Sequence, residues 1–237
     1  MSQRETIDRM TQEITDRAEW IAACKGVALK KYTDASYTQG IYDAARLYWK
    51  EGSRGNFNTR MNQVIKFGLN DAWILGAADV GVAPDEFEQA DKDQIAGIIN
   101  EEKSHVSGLL DFLDGIANNP QSKLQDANYR LNLWTARFED VVDQARVWFG
   151  QKTRFVWVYG DTVNHCHTGD GKGGVGCSAL VGIVAFGYEW DQAGIRPKSS
   201  QLACGGFNCD CRLTPTTKRR TAKALQKLLD IMAGANV

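Results

Sequence analysis

Six cysteines are spread very unevenly along this chain of 237 residues. Cys24 stands alone, whereas Cys166, Cys177, Cys204, Cys209 and Cys211 fall within a window of 46 residues. That thiol density constrains the fold more than any other feature. The opening Met-Ser-Gln-Arg-Glu-Thr-Ile-Asp-Arg holds no apolar stretch, so no secretory leader is expected. No run of about 18 apolar residues occurs, so no membrane span is expected. In the reducing cytoplasm these absences imply, clustered thiols read as metal ligands before they read as disulfides.

A structural zinc ion wants four tetrahedral ligands, thiolate or imidazole, with none left open. Cys166 and Cys177 supply one half of such a site, and Cys204 with Cys209 or Cys211 the other. The segment Cys204-Gly205-Gly206-Phe207-Asn208-Cys209-Asp210-Cys211 is the stronger half, because its paired glycines permit a tight turn that swings amides toward sulfur. If 209–213 is extended, Cys209 and Cys211 share a face. Both then approach the metal, or one ligates with the other beside it, Cys209 being slightly preferred as the ligand. In the first half, ten residues separate the cysteines and five of them are glycine. That reads as a flexible loop between ligands, with His167, or even His165, as a rival to Cys177. One zinc per chain is the expectation.

The rest of the chain reads mostly as helix. Apolar residues recur three or four apart over 5–23 (Ile7, Met10, Ile14, Ile21), 37–51 (Ile41, Ala44, Ala45, Tyr48) and 57–79 (Phe57, Met61, Ile65, Leu69, Trp73). Pro84 suits a first helical position, and Asp85 and Glu86 favour the positive helix end. A long helix follows over 85–117, stopped by Asn118-Asn119-Pro120, and another spans 122–149. At 154–159, Arg-Phe-Val-Trp-Val-Tyr switches to a strand pattern, and helix returns over 217–233. The fold class expected is therefore mainly α: a helical N-terminal body over 1–150 and a small α+β, zinc-stapled C-terminal module over 151–237.

Energetics make a metal useful to such a module. A segment of this size with few long apolar runs buries little core, and a structural zinc contributes on the order of 10–16 kcal/mol of apparent binding energy. Charge divides at the same boundary. Residues 151–237 hold 11 Lys and Arg against 6 Asp and Glu, while the remainder holds 17 against 23. Much of the positive excess is the run Lys218, Arg219, Arg220, Lys223 and Lys227, placed on the last helix. A solvated helix face is its ordinary meaning, and a phosphate contact with DNA is the alternative.

The stretch from Arg130-Leu131-Asn132-Leu133-Trp134 through Phe155-Val156-Trp157, Asn164-His165-Cys166, Leu180-Val181-Gly182, Trp190, Ile195-Arg196-Pro197 and Leu202 to Pro215 resembles the Mu F-like phage head-morphogenesis (minor capsid) proteins, in order and in spacing. The resemblance covers roughly 125–215 well and the helical body more loosely. It departs from the family at the first cysteine pair, where Gly169 stands in place of the second cysteine and Cys177 follows eight residues later. It implies a structural protein, present in few copies in the virion head, assembled in the host bacterial cytoplasm, and associated with the portal or the major capsid protein. It implies no catalytic site and no small-molecule substrate.

Other signals are weaker. Gly169-x-Gly171-x-x-Gly174 matches a dinucleotide fingerprint in letters, but it lies in a cysteine loop with no clear helix after it. His165, His167, Asp161, Asp170 and Asp210 supply the residue types of a metal-dependent nuclease. A thiolate-saturated zinc leaves no open position for that chemistry.

Overall fold

The computed structural model describes residues 33–161, 165–167, 174–199, 201–205 and 209–234. Cys24 and the helix expected over 5–23 lie outside the described residues. Helix α1 (Asp34–Glu51) starts where the Thr33 side chain accepts from the Ser36 amide while the Thr33 amide donates to the Ser36 hydroxyl at 2.7 Å. This reciprocal cap satisfies two amides that the first turn leaves open. Gly52 ends the helix in the left-handed region, φ 65°, its N–H donating to the Tyr48 carbonyl. Ser53 at once caps α2 (Arg54–Ala78) by accepting from the Asn56 amide. A link of Gly52 and Ser53 alone makes the two helices an antiparallel hairpin.

The hairpin packs closely because glycine lines its contacts. A Cβ at Gly68 would lie 2.2 Å from the Tyr37 ring, and one at Gly76 would lie 2.3 Å from the Val142 carbonyl of a later helix. Tyr37, Ile41, Phe57, Met61, Ile65 and Trp73 are buried there, as their spacing requires.

The single helix expected over 85–117 is instead three pieces: a 3-10 turn (Pro84–Glu86), α3 (Gln89–Ser104) and α4 (Val106–Ala117). Phe87 is extended and the Glu88 amide donates to the Asp91 carboxylate, which starts a fresh helix. At the far end the Ser104 hydroxyl donates to the Glu101 carbonyl at 2.6 Å, and the turn tightens at His105. The bend lets Ile95, Ile98 and Ile99 reach the same core as Leu109, Leu110 and Leu113. The expected helix over 122–149 divides likewise, into a 3-10 turn (Leu124–Ala127), α5 (Asn128–Thr135) and α6 (Arg137–Phe149), where the Thr135 hydroxyl donates to the Asn132 carbonyl.

Two cations tie the buried carboxylates of this body. Arg137 donates to Glu102 at 2.8 Å and also pairs with Asp140, while Arg146 spans Asp143 at 2.7 Å and Asp79 at 2.6 Å. Burial pushes the Asp143 carboxyl up to about 7, against the downward pull of Arg146.

Beyond Gly150 the chain forms a three-stranded antiparallel sheet in the order β2-β1-β3, with β1 (Arg154–Val158) central, β2 (Val184–Phe186) and β3 (Arg212–Pro215). Phe155 and Trp157 alternate onto one face and are fully buried, together with Leu213 from β3. Three helices complete this part: α7 (Cys177–Leu180), α8 (Gly187–Ala193) and α9 (Ala224–Met232). They bring Leu180, Trp190 and Leu228 onto the same cluster, with the Trp157 and Trp190 rings 5.8 Å apart. The expectation that this segment buries little core is therefore corrected. Its apolar residues are scattered singly along the chain, and the fold collects them.

Helix α6 belongs to both cores, since Ala145 packs into the first and Val147 into the second. The joint is tight: the Gly187 amide donates to Thr153, and a Cβ at Gly187 would lie 2.3 Å from the Gly150 carbonyl. The last helix also differs from expectation, beginning at Ala224 rather than 217. Residues before it run along the sheet, where Thr221 exchanges two hydrogen bonds with Val184 and Arg154 donates to the Lys218 carbonyl. Lys218, Arg219 and Arg220 thus precede the helix instead of lying on it, and Lys223 sits at its cap with φ 51°. The architecture is mainly helical with a small antiparallel sheet in the C-terminal region. Among the described residues, no helix is long and apolar enough to cross a membrane.

Candidate metal centre

Three local devices bring the late cysteines together. First, Cys166 docks on the start of α7: its carbonyl accepts from the Ser178 amide at 3.3 Å and its sulfur from the Cys177 amide at 3.2 Å. Second, Val175 and Leu202 form a parallel bridge, with the Val175 amide donating to Gln201 at 3.1 Å and its carbonyl accepting from Ala203 at 2.8 Å. Cys177 and Cys204 each follow two residues after a member of that bridge, so the pairing sets them side by side. Third, β3 pairs with β1 through Val158 and Arg212, which fixes Cys211 where the strand begins. The chain leaving β1 also presses on this turn. A Cβ at Gly160 would lie 2.4 Å from the Asp210 carbonyl.

The result is a convergence of five sulfurs. Cys166, Cys177 and Cys204 offer sulfurs within 4.8 Å of one another, as do Cys177, Cys209 and Cys211. The Cys166 and Cys177 sulfurs are 3.3 Å apart, and none of the five is in a disulfide. Tetrahedral geometry with metal–sulfur bonds of about 2.3 Å sets sulfurs roughly 3.8 Å apart, the scale of this cluster. Cys177 and Cys211 are buried, and the other three are half-buried.

Electrostatics show what the donor set lacks. Hydrogen bonding to Cys204, and then to Cys209 and Cys211, with burial added, holds the Cys177 proton far more tightly than in an ordinary thiol. Hydrogen bonds from Cys177, Cys204 and Cys211 act oppositely on Cys209 and strongly favour its thiolate. At Cys211 the bond with Cys177 also works toward the thiolate, but Cys209 and burial outweigh it and push the thiol up to about 12. Without a cation, then, Cys177 and Cys211 are biased to keep their protons and Cys209 to lose its own. Neutralising several at once is what a soft divalent ion does, and the residues fit such a group.

All five cysteines singled out from the sequence therefore meet. The choice between Cys209 and Cys211 changes form, because Cys209 reaches Cys177, Cys204 and Cys211 and so sits inside the cluster. His167 is exposed and joins none of these groups. The nearer imidazole is His165, whose Nδ1 is 4.0 Å from the Cys211 sulfur and whose ring stacks on Tyr159. Gly205, with φ 62°, is in the left-handed region beside Cys204, where the paired glycines were expected to permit a tight turn. Asp161 is exposed, and Asp170 lies outside the described residues. Of the basic run, Lys218, Arg219 and Lys223 are exposed, whereas Arg220 binds the buried Glu189 through two hydrogen bonds, one of 2.9 Å. Sequence reasoning missed the Val175–Leu202 bridge and the place of Trp157 against the cluster. Neither has a local signal, since both depend on which distant segments pair. Compared with known proteins, the chain matches no family model, no curated protein and no solved structure.

Proposed function

We propose that this chain is a minor structural protein of a phage head, in which a zinc ion staples the C-terminal module and the helical body meets the portal or the major capsid protein. The convergence of five cysteine sulfurs from three separate segments carries the reading. Zinc is the metal favoured by a thiolate-rich, closed, tetrahedral donor set with no redox role to serve. The order and spacing of residues over 125–215, which resemble the head-morphogenesis family, supply the biological setting: assembly in a bacterial cytoplasm and residence in the virion head. Particles released from a lysogen carrying this gene test it. Peptide mass spectrometry of purified heads is expected to find the chain in a few copies alongside the portal. Heads that contain portal but none of this chain would contradict it.

A second reading, a DNA contact, is favoured by one observation. The backbone of 216–221 is anchored to the sheet, which leaves Lys218, Arg219 and Lys223 exposed on a fixed platform. Such a contact depends on phosphate neutralisation, so its affinity is expected to fall steeply between low and moderate salt. Binding that ignores salt would argue against it.

A further inference from the structure

Five thiols exceed by one what a tetrahedral ion takes, and the surplus one has surroundings of its own. We propose that Cys211, His165 and Asp210 form a second divalent-cation site beside the thiolate cluster, one that takes zinc or cobalt(II) and keeps a position for water. The inference rests on the cluster being a metal site. Its geometry is direct. The Cys211 sulfur, a ring nitrogen of His165 and a carboxylate oxygen of Asp210 all lie within 4.8 Å of one another. The other four cysteines suffice for a closed ion. Cys166, Cys177 and Cys204 form one group of sulfurs, and Cys177 and Cys209 form another that also includes Cys211, which places Cys211 where the two sites meet.

Each member of the second group also has contacts outside the thiolate cluster. The His165 ring stacks on Tyr159 with centroids 3.7 Å apart and planes 10° apart. Asp210 abuts the backbone of Gly160 with no room for a side chain between them. Cys211 is fixed by the register of β3 on β1. Trp157 adds an independent pointer. Its indole N–H is buried without a hydrogen-bond partner, and Trp157 pairs with Leu213, two residues beyond Cys211, across β1 and β3. A metal-bound thiolate at 211 gives that N–H an acceptor. Three ligands of three kinds, two of them half-buried, leave solvent a way in. A four-thiolate ion leaves none.

Anaerobic titration of the metal-free, reduced full-length chain with cobalt(II), followed by absorption, tests this. The wild type is expected to take two equivalents, the first with the intense charge-transfer bands of a four-thiolate site and the second with weaker ones. His165→Ala and Asp210→Asn, which leave all five thiols in place, are each expected to stop at one equivalent with the first-site spectrum unchanged. Cys211→Ser is expected to do the same. Saturation of the wild type at one equivalent overturns the second site and leaves the thiolate site standing, whereas no binding at all overturns both. Loss of first-site charge-transfer intensity in Cys211→Ser overturns the division of the five cysteines into four and one.

Discussion

Helices α1 to α6 bury a core whose members repeat mostly every three or four residues, and α1 and α2 start on side-chain caps. The C-terminal module gathers its core from Val147 to Ile231, one or two residues at a time, through strands that pair across about thirty positions (β1 with β2) and more than fifty (β1 with β3). Body contacts within the α1–α2 hairpin close short loops. Module contacts must first close long ones, and loop-closure entropy rises with length. A metal held by the proposed cysteine site would clip those loops together, where local signals are poorest. Such a site would not hold the module alone, however, because Phe155, Trp157 and Trp190 are as buried as anything in the body.

That contrast can be broken or sharpened by experiment. The largest effect expected is from metal removal. Chelation under reducing conditions forfeits binding energy on the order of 10–16 kcal/mol. Amide protection over 154–232 is expected to collapse while 34–149 keeps its own. Equal loss in both regions would erase the distinction. Next, Trp190→Ala is expected to cost the module about 3–5 kcal/mol, with the helical body unaffected in segment-resolved hydrogen exchange. Trp73→Ala is its mirror in the body. If either variant lowers both regions together, α6 has fused the two cores into one cooperative unit.

Smaller effects refine the picture. Gly76→Ala places a methyl against the Val142 carbonyl and is expected to destabilise the body by about 1–3 kcal/mol, with metal affinity unchanged in a competition titration. The Glu189–Arg220 pair gives a pH signature belonging to the module. The hydrogen bond from Arg220 holds the Glu189 carboxyl below the ordinary range, against its burial. A depressed folded pKa means that the unfolded chain binds the proton first as pH falls. The pair's contribution is present above the usual glutamate value and is lost as pH drops through the folded one. The stability advantage of wild type over Glu189→Gln, read from denaturant midpoints, is therefore expected to shrink toward acid and stay level above pH 6. Least of all, Thr33→Ala removes the first cap and is expected to cost about 1 kcal/mol, confined to α1.

Legibility from the sequence follows the same division. The helices over 37–51 and 57–79 were readable from their periodic apolar runs. The bends at His105 and Ala136 were not, since a serine or threonine hydroxyl turning onto its own helix leaves the apolar period intact. In the module the five cysteines were legible as a cluster by composition alone. Their arrangement was not, because it depends on Val175 finding Leu202 and on β3 finding β1. The basic run was expected on the last helix. Thr221 instead completes the edge of β2, and Arg220 satisfies a carboxylate that the apolar core would otherwise strand.

The central claim is that the late cysteines act as one metal-binding unit. Zinc K-edge X-ray absorption on the full-length chain loaded with one equivalent addresses it most directly. The account predicts a first shell of four sulfurs at about 2.3 Å. A shell dominated by oxygen and nitrogen, or a purified chain that retains no zinc in its presence, would contradict it.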